Sequence, residues 1–203
     1  MADKIVIEIY KNKNPDELSR ILAESDSRLE VGSAAAATAS YAAALLCRAA
    51  ALTAADIKND LRLDYIVRNA EVIRNYMVYL IDEDVKCRAP LRKALKEGKT
   101  QEAEAALQPA GCISAEIVNM MGQCLELMAE LSEKCPLSAI EYLGEGAHLA
   151  MGAISSCRVY LVNLADKCSD ETYRYVTRRE NEISLAACRK AYEKILSKVE
   201  STI

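Results

Sequence analysis

The sequence predicts an all-α protein, a bundle of five to six main helices around a central alanine-rich helix. Glycine (7) and proline (4) are scarce in the 203 residues, which is typical of helical proteins. The stretch 32–53, GSAAAATASYAAALLCRAAALT, has no proline and no glycine after its first residue, and alanine is the strongest helix former. Later stretches repeat apolar residues at spacings of three and four, as one face of a helix does. The length suits one domain, residues 1–203, with a sizeable core.

The composition excludes several classes of partner. A net charge of -4 argues against a nucleic-acid binder, which would usually be basic. Without a lysine- or arginine-rich run, no contact with an anionic membrane surface is expected. Residues 33–55 have the length of a membrane span, but alanine is weakly apolar and Arg48 lies inside. The first apolar run is short and interrupted by charges, so no signal peptide is expected and the protein is predicted to be cytoplasmic.

The cysteines predict neither disulfides nor a metal site. No two of the eight form a C-x-x-C pair, and His148 is the only histidine, so zinc-ligand spacing is missing. Most fall inside helical patterns, where a free cysteine behaves as a small apolar residue. We expect reduced thiols with structural roles and no metal site. The eight are Cys47, Cys87, Cys112, Cys124, Cys135, Cys157, Cys168 and Cys188.

The N-terminal part contains a strand-like segment and a helix start. Residues 4–10, KIVIEIY, resemble a strand without an evident partner, which predicts an extended arm or an edge contact in an oligomer. Asn14 precedes Pro15 and two acids, the pattern of a capped helix start, and this helix is expected to run to about residue 25. In the alanine helix that follows, small side chains let neighbouring backbones approach closely. The composition by itself attaches no site to it, but a Gly32-Ser33 pair at its first turn leaves a functional role open.

A second long helix is predicted over 56–89, and its apolar seam contains a carboxylate. The seam positions are Ile66, Ala70, Ile73, Met77, Leu80, Asp84 and Cys87. Because an unpaired buried carboxylate is costly, Asp84 is expected to have a partner, a raised pKa or a solvent-lined pocket. The alternative is a surface acid near a fraying helix end, since Pro90 follows soon after. Asp82 and Glu83 fall off the seam.

Four further helical pieces complete the chain. A short piece follows Pro90 with a break at Gly98, and residues 108–111 form a turn. A methionine-rich helix over 114–134, with Met120, Met121 and Met128, is expected to fill the core. Helices over 136–165 and 169–198 follow. Because long helices with extended seams often pair with a second copy, we expect a homodimer.

The 136–165 helix carries two rows of residues. Its apolar seam is Leu143, Ala147, Ala150, Ile154, Cys157, Leu161 and Leu164. Beside the seam, a row at helical spacing includes Glu141, His148 and Arg158, with small residues between them. This row either lines a polar pocket or is a partly solvated helix face. Asn163 and Asp166 lie near the end of the helix.

Three stretches together resemble the cyclodeaminase/cyclohydrolase family, which comprises the C-terminal domain of formiminotransferase-cyclodeaminase and its free-standing bacterial relatives. The family has a Pro-Gly-Gly-Gly-Ser turn, then an alanine-rich helix closing with Asn-Leu-Thr; here Gly32-Ser33 and Leu52-Thr53 stand at the same separation. Its leucine-rich helix ends in an acidic segment, which residues 80–84, LIDED, match. Its Ile-Asn-Leu followed by an acid resembles residues 162–164, VNL, with Asp166 or Asp170 as the acid. The resemblance spans residues 15–200.

The chain departs from this pattern at three places. Residues 29–31, Leu-Glu-Val, stand where the family has Pro-Gly-Gly, so the turn keeps one glycine. Ala51 replaces the family asparagine, and Glu141 stands where an aspartate is expected. Since glycine permits close approach of a backbone to a ligand, Glu30 and Val31 hinder that approach. A divergent member that binds another small molecule or a protein partner is therefore the alternative to a folate enzyme.

The resemblance implies acid/base chemistry on the one-carbon unit of tetrahydrofolate, with no metal or redox cofactor. Either 5-formiminotetrahydrofolate cyclises with loss of ammonia, or 5,10-methenyltetrahydrofolate is hydrolysed; the sequence leaves this choice open. Asp84 is the candidate acid/base. Candidate substrate-binding residues are Gly32 and Ser33 for an anionic or carbonyl group, Glu141 or His148 for the pterin or a second proton, Arg158 for the glutamate tail, and Asn163 and Asp166.

Overall fold

The structure, a computed structural model, describes residues 9–202. Seven α-helices account for most of this part of the chain. No strand occurs between residues 9 and 202. Five helices are long and two are short, in agreement with the predicted fold class. The predicted strand-like arm, 4–10, lies outside the described residues except for its last two. The helices are α1 Pro15–Ala23, α2 Val31–Asp56, α3 Leu61–Lys96, α4 Thr100–Ala110, α5 Cys112–Leu131, α6 Leu137–Lys167 and α7 Glu171–Thr202.

Local signals start and end several of these helices. The Asn14 side chain accepts a hydrogen bond from the backbone of Glu17, whose side chain accepts one from Asn14 N in return, so the predicted start of α1 is confirmed. At the end of α3, Gly98 has a φ of 68°, a left-handed conformation that favours glycine, and the predicted break is present.

The alanine-rich α2 lies at the centre of the bundle, packed mainly between α3 and α6. Its small side chains let α6 approach closely. A Cβ placed on Gly146 of α6 would lie only 3.3 Å from the carbonyl oxygen of Ala42 in α2. Among the described helices, only α2 is long and apolar enough to span a membrane, a property that the core helix of a soluble protein shares. The buried residues of α2 face other helices of the same chain.

The limits of α3 differ from the prediction at both ends. The predicted start at residue 56 was wrong, because α2 continues through Asp56 and Asp60 caps α3 by accepting hydrogen bonds from two backbone amides. The predicted end before Pro90 was also wrong, since α3 continues to Lys96 with Pro90 inside it. Beyond the proline, Leu91 and Ala94 are buried, so tertiary packing holds this part of α3. Arg92 Nη2 also donates a hydrogen bond to the carbonyl oxygen of Val85.

The predicted seams of α3 and α6 face the core. Along α3, every seam residue from Ile66 to Asp84 is buried, and Cys87 is half-buried. All seven residues of the α6 seam are buried as well. Met121 and Met128 of α5 are fully buried among them, as core fillers. The seam pattern therefore places Asp84 inside the bundle, at the contact between α3 and the first turn of α2.

Candidate functional site

The carboxyl group of Asp84 lies at the N-terminus of α2. It is fully buried, and its Oδ2 accepts a 2.9 Å hydrogen bond from the backbone N–H of Ser33. Ser33 Oγ lies 3.0 Å from the same oxygen and 3.1 Å from the carbonyl oxygen of Ile81, and its single proton can bond only one of them at a time. Asp84 thus satisfies a free amide of the α2 first turn, which the side chain of the N-cap residue Glu30 does not do. The structure therefore brings together three of the predicted site residues, Gly32, Ser33 and Asp84.

Gly32 is what lets the Asp84 carboxyl approach so closely. A Cβ at Gly32 would lie 2.0 Å from Asp84 Oδ1 and 2.4 Å from its Cγ, well inside van der Waals contact. Because only hydrogen stands there, the carboxyl group sits directly against the backbone of α2. The single glycine retained from the family turn is thus the one that the carboxyl requires.

Arg88, one turn after Asp84, is a site residue that sequence reasoning missed. It is buried, and its Nη1 lies 3.6 Å from Asp84 Oδ2 and 2.7 Å from Glu30 Oε2. Its guanidinium carbon lies 3.8 Å from the ring centre of Tyr160 on α6, and its Nε donates to the Tyr160 hydroxyl at 2.8 Å. The spacing of four between Asp84 and Arg88 was the available signal. Glu30 and Tyr160 come from other elements and gave none.

Burial is the main influence on the protonation of Asp84. It raises the pKa of Asp84, whereas Arg88 and the hydrogen bonds from Ser33 lower it and the charge of Glu30 raises it again. Asp84 Oδ1 is buried and has no hydrogen-bond partner within residues 9–202. An acceptor left unpaired in the interior costs less when the carboxyl is neutral. The site therefore favours the protonated acid more than water does.

Asp82, predicted to lie off the seam, is buried too. Its Oδ1 accepts hydrogen bonds from the backbone N–H groups of Tyr10 at 2.7 Å and Lys11 at 3.2 Å. This carboxylate therefore holds the segment that precedes α1 against α3. Two buried acids two residues apart have different partners, which makes Asp82 a natural control for Asp84.

The polar row of α6 does not meet Asp84 within the chain. The α6 residue Cys157 and its neighbour Tyr160 lie near Asp84, whereas Glu141 is exposed and sixteen residues before Cys157, about 24 Å along the helix axis. His148 is exposed, and its Nδ1 lies 2.8 Å from the hydroxyl of Tyr192 on α7. The row thus follows the side of α6 that meets α7.

None of the remaining predicted residues forms a hydrogen bond or ion pair with Asp84. Arg158 is half-buried on α6, and its buried Nε has no hydrogen-bond partner in the described chain. Asn163 is exposed, and Asp166 forms an ion pair with Arg178 of α7. The structure brings none of these three to the first turn of α2. Their substrate-binding roles stay predictions.

Two of the eight cysteines lie in contact near the site. Cys87 Sγ is 2.9 Å from Cys112 Sγ and 2.7 Å from the carbonyl oxygen of Pro109, and both cysteines are free thiols. Burial, together with Cys112, raises the pKa of Cys87 to about 12, so it stays a thiol at neutral pH. Across residues 9–202, no three His, Cys, Asp or Glu side chains are grouped to hold a metal ion.

The arrangement can hold a proton on a carboxyl group shielded from bulk water. Asp84 provides the carboxyl, Ser33 positions it, and Arg88 supplies a positive charge at 3.6 Å. Glu30 is the partly exposed member of this cluster, so the cluster meets solvent on the side of Glu30. Acid/base catalysis needs such a carboxyl with a pKa moved toward neutrality.

Comparisons with known proteins give one matching family model and a solved structure of similar fold. The family model described as formiminotransferase-cyclodeaminase matches residues 16–183. Among solved structures, the crystal structure of formiminotetrahydrofolate cyclodeaminase from Thermotoga maritima superposes with a TM-score of 0.85 at 19% sequence identity. The match covers 94% of this chain and 98% of that one. Comparison with curated protein sequences gives no match.

Proposed function

The chain belongs to the formiminotransferase-cyclodeaminase family, and on that premise we propose that it is an enzyme acting on the one-carbon unit of a tetrahydrofolate derivative. The observation that carries the proposal beyond the family is the buried carboxyl of Asp84, held by Ser33 at the N-terminus of α2. Its raised pKa supports a role as acid and base.

In the cyclodeaminase reaction, Asp84 moves one proton between two nitrogens. N10 of 5-formiminotetrahydrofolate attacks the carbon of the formimino group, which is protonated and cationic at the start, and forms a tetrahedral centre that carries an amino group. The carboxylate takes the N10 proton and returns it to the amino group, which leaves as ammonia and gives 5,10-methenyltetrahydrofolate. Because the carboxyl ends as it began, this chemistry needs no metal or redox cofactor.

The cyclohydrolase reaction uses the same carboxyl. Asp84 takes a proton from the water that adds to the cationic methenyl carbon and returns it to N5 as the bond from that carbon to N5 breaks. The new hydroxyl group loses its proton to solvent, which gives 10-formyltetrahydrofolate. An assay with each substrate separates the two reactions: ammonia release from the formimino derivative indicates the deaminase. Loss of methenyltetrahydrofolate absorbance without ammonia indicates the hydrolase.

Substitution of Asp84 tests the proposal directly. Asp84→Asn keeps the shape but cannot carry the proton, so turnover should fall by about 100-fold or more. Asp82→Asn is the matched control, because it makes the same change at a buried acid two residues away and should keep turnover. Both are followed by methenyltetrahydrofolate absorbance. Equal turnover of Asp84→Asn and the wild type would remove Asp84 from catalysis.

The second candidate is a member that binds a different ligand. Glu30 favours it, because this charged side chain lies over Arg88 where the family turn has glycine. A thermal-shift experiment with folates separates the candidates, since a ligand that binds only the native state raises the melting temperature. No shift at saturating folate would favour the second candidate.

We also propose that the enzyme is a cytoplasmic homodimer. Leu61, Tyr65 and Val72 lie on one face of α3 at helical spacing and are exposed, Leu61 by 83% and Val72 by 61%. A row of exposed large apolar side chains commonly marks a protein interface. The seam of α3 already faces its own bundle, so this row is a separate face that a second copy could cover.

A further inference from the structure

Two carboxyl groups compete for one buried arginine in the site. Arg88 Nη1 lies 2.7 Å from Glu30 Oε2 but 3.6 Å from Asp84 Oδ2, so the stronger ion pair is with Glu30. The rest of the guanidinium is engaged by Tyr160, through the ring face and through the hydroxyl. Arg88 is 3% exposed, so solvent screens its charge only weakly.

Glu30 is the replaceable member of this cluster. Its side chain is one-third exposed and accepts no hydrogen bond from the backbone of the helix that it precedes. Arg88 Nη1 also lacks a hydrogen bond of good angle despite the 2.7 Å distance, so charge attraction dominates the Glu30–Arg88 contact. Arg92 Nη1, one turn further along α3, lies 3.7 Å from the other oxygen of Glu30.

The groups that face Asp84 come from three elements. On α3 they are Arg88 and the thiol of Cys87; on α6 they are Tyr160 and the thiol of Cys157. The loop before α2 contributes Glu30. Burial raises the pKa of both thiols to about 12 and raises that of Tyr160, so these three are neutral near pH 7. The charges that Asp84 experiences there are those of Arg88 and Glu30.

We propose that Glu30 is a positioning residue that sets the protonation of Asp84 by drawing the charge of Arg88 to itself. With Glu30 ionised, Arg88 is neutralised from the solvent side and stabilises the Asp84 carboxylate less. Without the negative charge of Glu30, Arg88 interacts with the Asp84 carboxylate alone. The repulsion between the carboxylates of Glu30 and Asp84 is also lost. Both changes favour the carboxylate, so they act in one direction. The consequence for turnover rests on the proposed function, but the titration of Asp84 does not.

The test is a direct titration of Asp84. Carboxyl-carbon NMR follows each acid against pH, and the Asp84 signal is identified by its absence in Asp84→Asn. Glu30→Gln should lower the midpoint of Asp84 by about one pH unit. Glu30→Ser is a second neutral variant that should fold, because serine is favoured at a helix N-cap, and it should produce the same shift.

Two controls separate charge from other effects. Glu24→Gln removes an exposed acid from the same loop and should move the Asp84 midpoint by less than about 0.2 units. Glu30→Asp keeps the charge and should stay closer to the wild type than Glu30→Gln does. If Glu30→Gln and Glu24→Gln give the same Asp84 midpoint, or if Glu30→Asp shifts it as far as Glu30→Gln, the proposal is overturned.

Turnover provides a readout that a merely structural role would not move. If Asp84 acts as a base, activity falls below its pKa, so the acidic limb of the rate profile should shift to lower pH by the same unit in Glu30→Gln. If the Asp84 midpoint shifts but the protein turns over no folate, the effect of Glu30 on Asp84 stands and the proposed reaction is rejected. A fixed acidic limb alongside a shifted titration would show that Glu30 does not act on catalysis through Asp84.

Discussion

Gly32 of α2 and Asp84 of α3 lie in close contact, and each accounts for the other. Asp84 interrupts an apolar seam, and a buried carboxylate needs partners that a neighbouring backbone can supply. The first turn of α2 supplies the Ser33 amide, but only because residue 32 has no side chain. One glycine therefore decides whether a buried acid is tolerated in this bundle.

Gly32→Ala should destabilise the fold. The new Cβ would lie 2.0 Å from Asp84 Oδ1, so the helix or the carboxyl must move, at a cost of about 2 kcal/mol in the free energy of unfolding. Gly152→Ala is the control: nothing lies within 4 Å of its Cβ, and it should stabilise α6 by about 1 kcal/mol. Urea unfolding at one protein concentration measures both. Equal stability of the two variants would contradict the contact.

Among the elements, α2 has the strictest steric demand. It packs against α3 on one side and α6 on the other, and most of its buried side chains are single methyl groups. Backbones that approach closely leave no volume for longer side chains. The alanine content is therefore a packing requirement, as the small side chains predicted, whereas the sequence left open whether the helix also carried a functional site.

Ala43→Leu tests this packing. Ala43 is fully buried in α2, and three added carbons have no space to enter, so the variant should lose about 3 kcal/mol of stability. Ala51→Leu makes the same change at an exposed position of the same helix and should stay within about 0.5 kcal/mol of the wild type. Thermal and urea unfolding compare them. A similar loss in both variants would mean that helix propensity, and not packing, limits α2.

For the whole molecule, the homodimer is the prediction that decides which surfaces are free. The exposed row of α3 points to a face for the second copy, and a closed dimer with two-fold symmetry uses the same face of both chains. Light scattering of the wild type should give twice the chain mass of 22.3 kDa. A monomeric wild type would reject the dimer.

Val72→Glu should convert the dimer to a monomer, because it places a charge in the apolar row of each copy. Val159→Glu is the control, since Val159 is similarly exposed on α6, away from that row, and it should leave the mass unchanged. Both variants are compared by light scattering at the same concentration. Loss of the dimer in Val159→Glu alone would move the interface to α6.

The sequence by itself determined the helical class, the order of the helices and the inward faces of α3 and α6, because these follow from local periodicity and composition. It also identified Asp84 and Gly32, through a polar residue in an apolar seam and a glycine at a helix start. It missed the passage of α3 through Pro90, since the helix beyond the proline is held by tertiary packing of Leu91 against residues of α4 and α6.

Only the tertiary structure decided which charges surround Asp84. Glu30, Arg88 and Tyr160 come from a loop and two helices, up to 130 residues apart, and their contact distances are set by how α2, α3 and α6 pack. The tertiary structure also places Glu141 and His148 away from Asp84, although the sequence showed all three as polar residues at helical spacing. Periodicity fixes the face of a helix on which a residue lies. The identity of the residues across that face depends on the packing of distant segments, which local sequence does not encode.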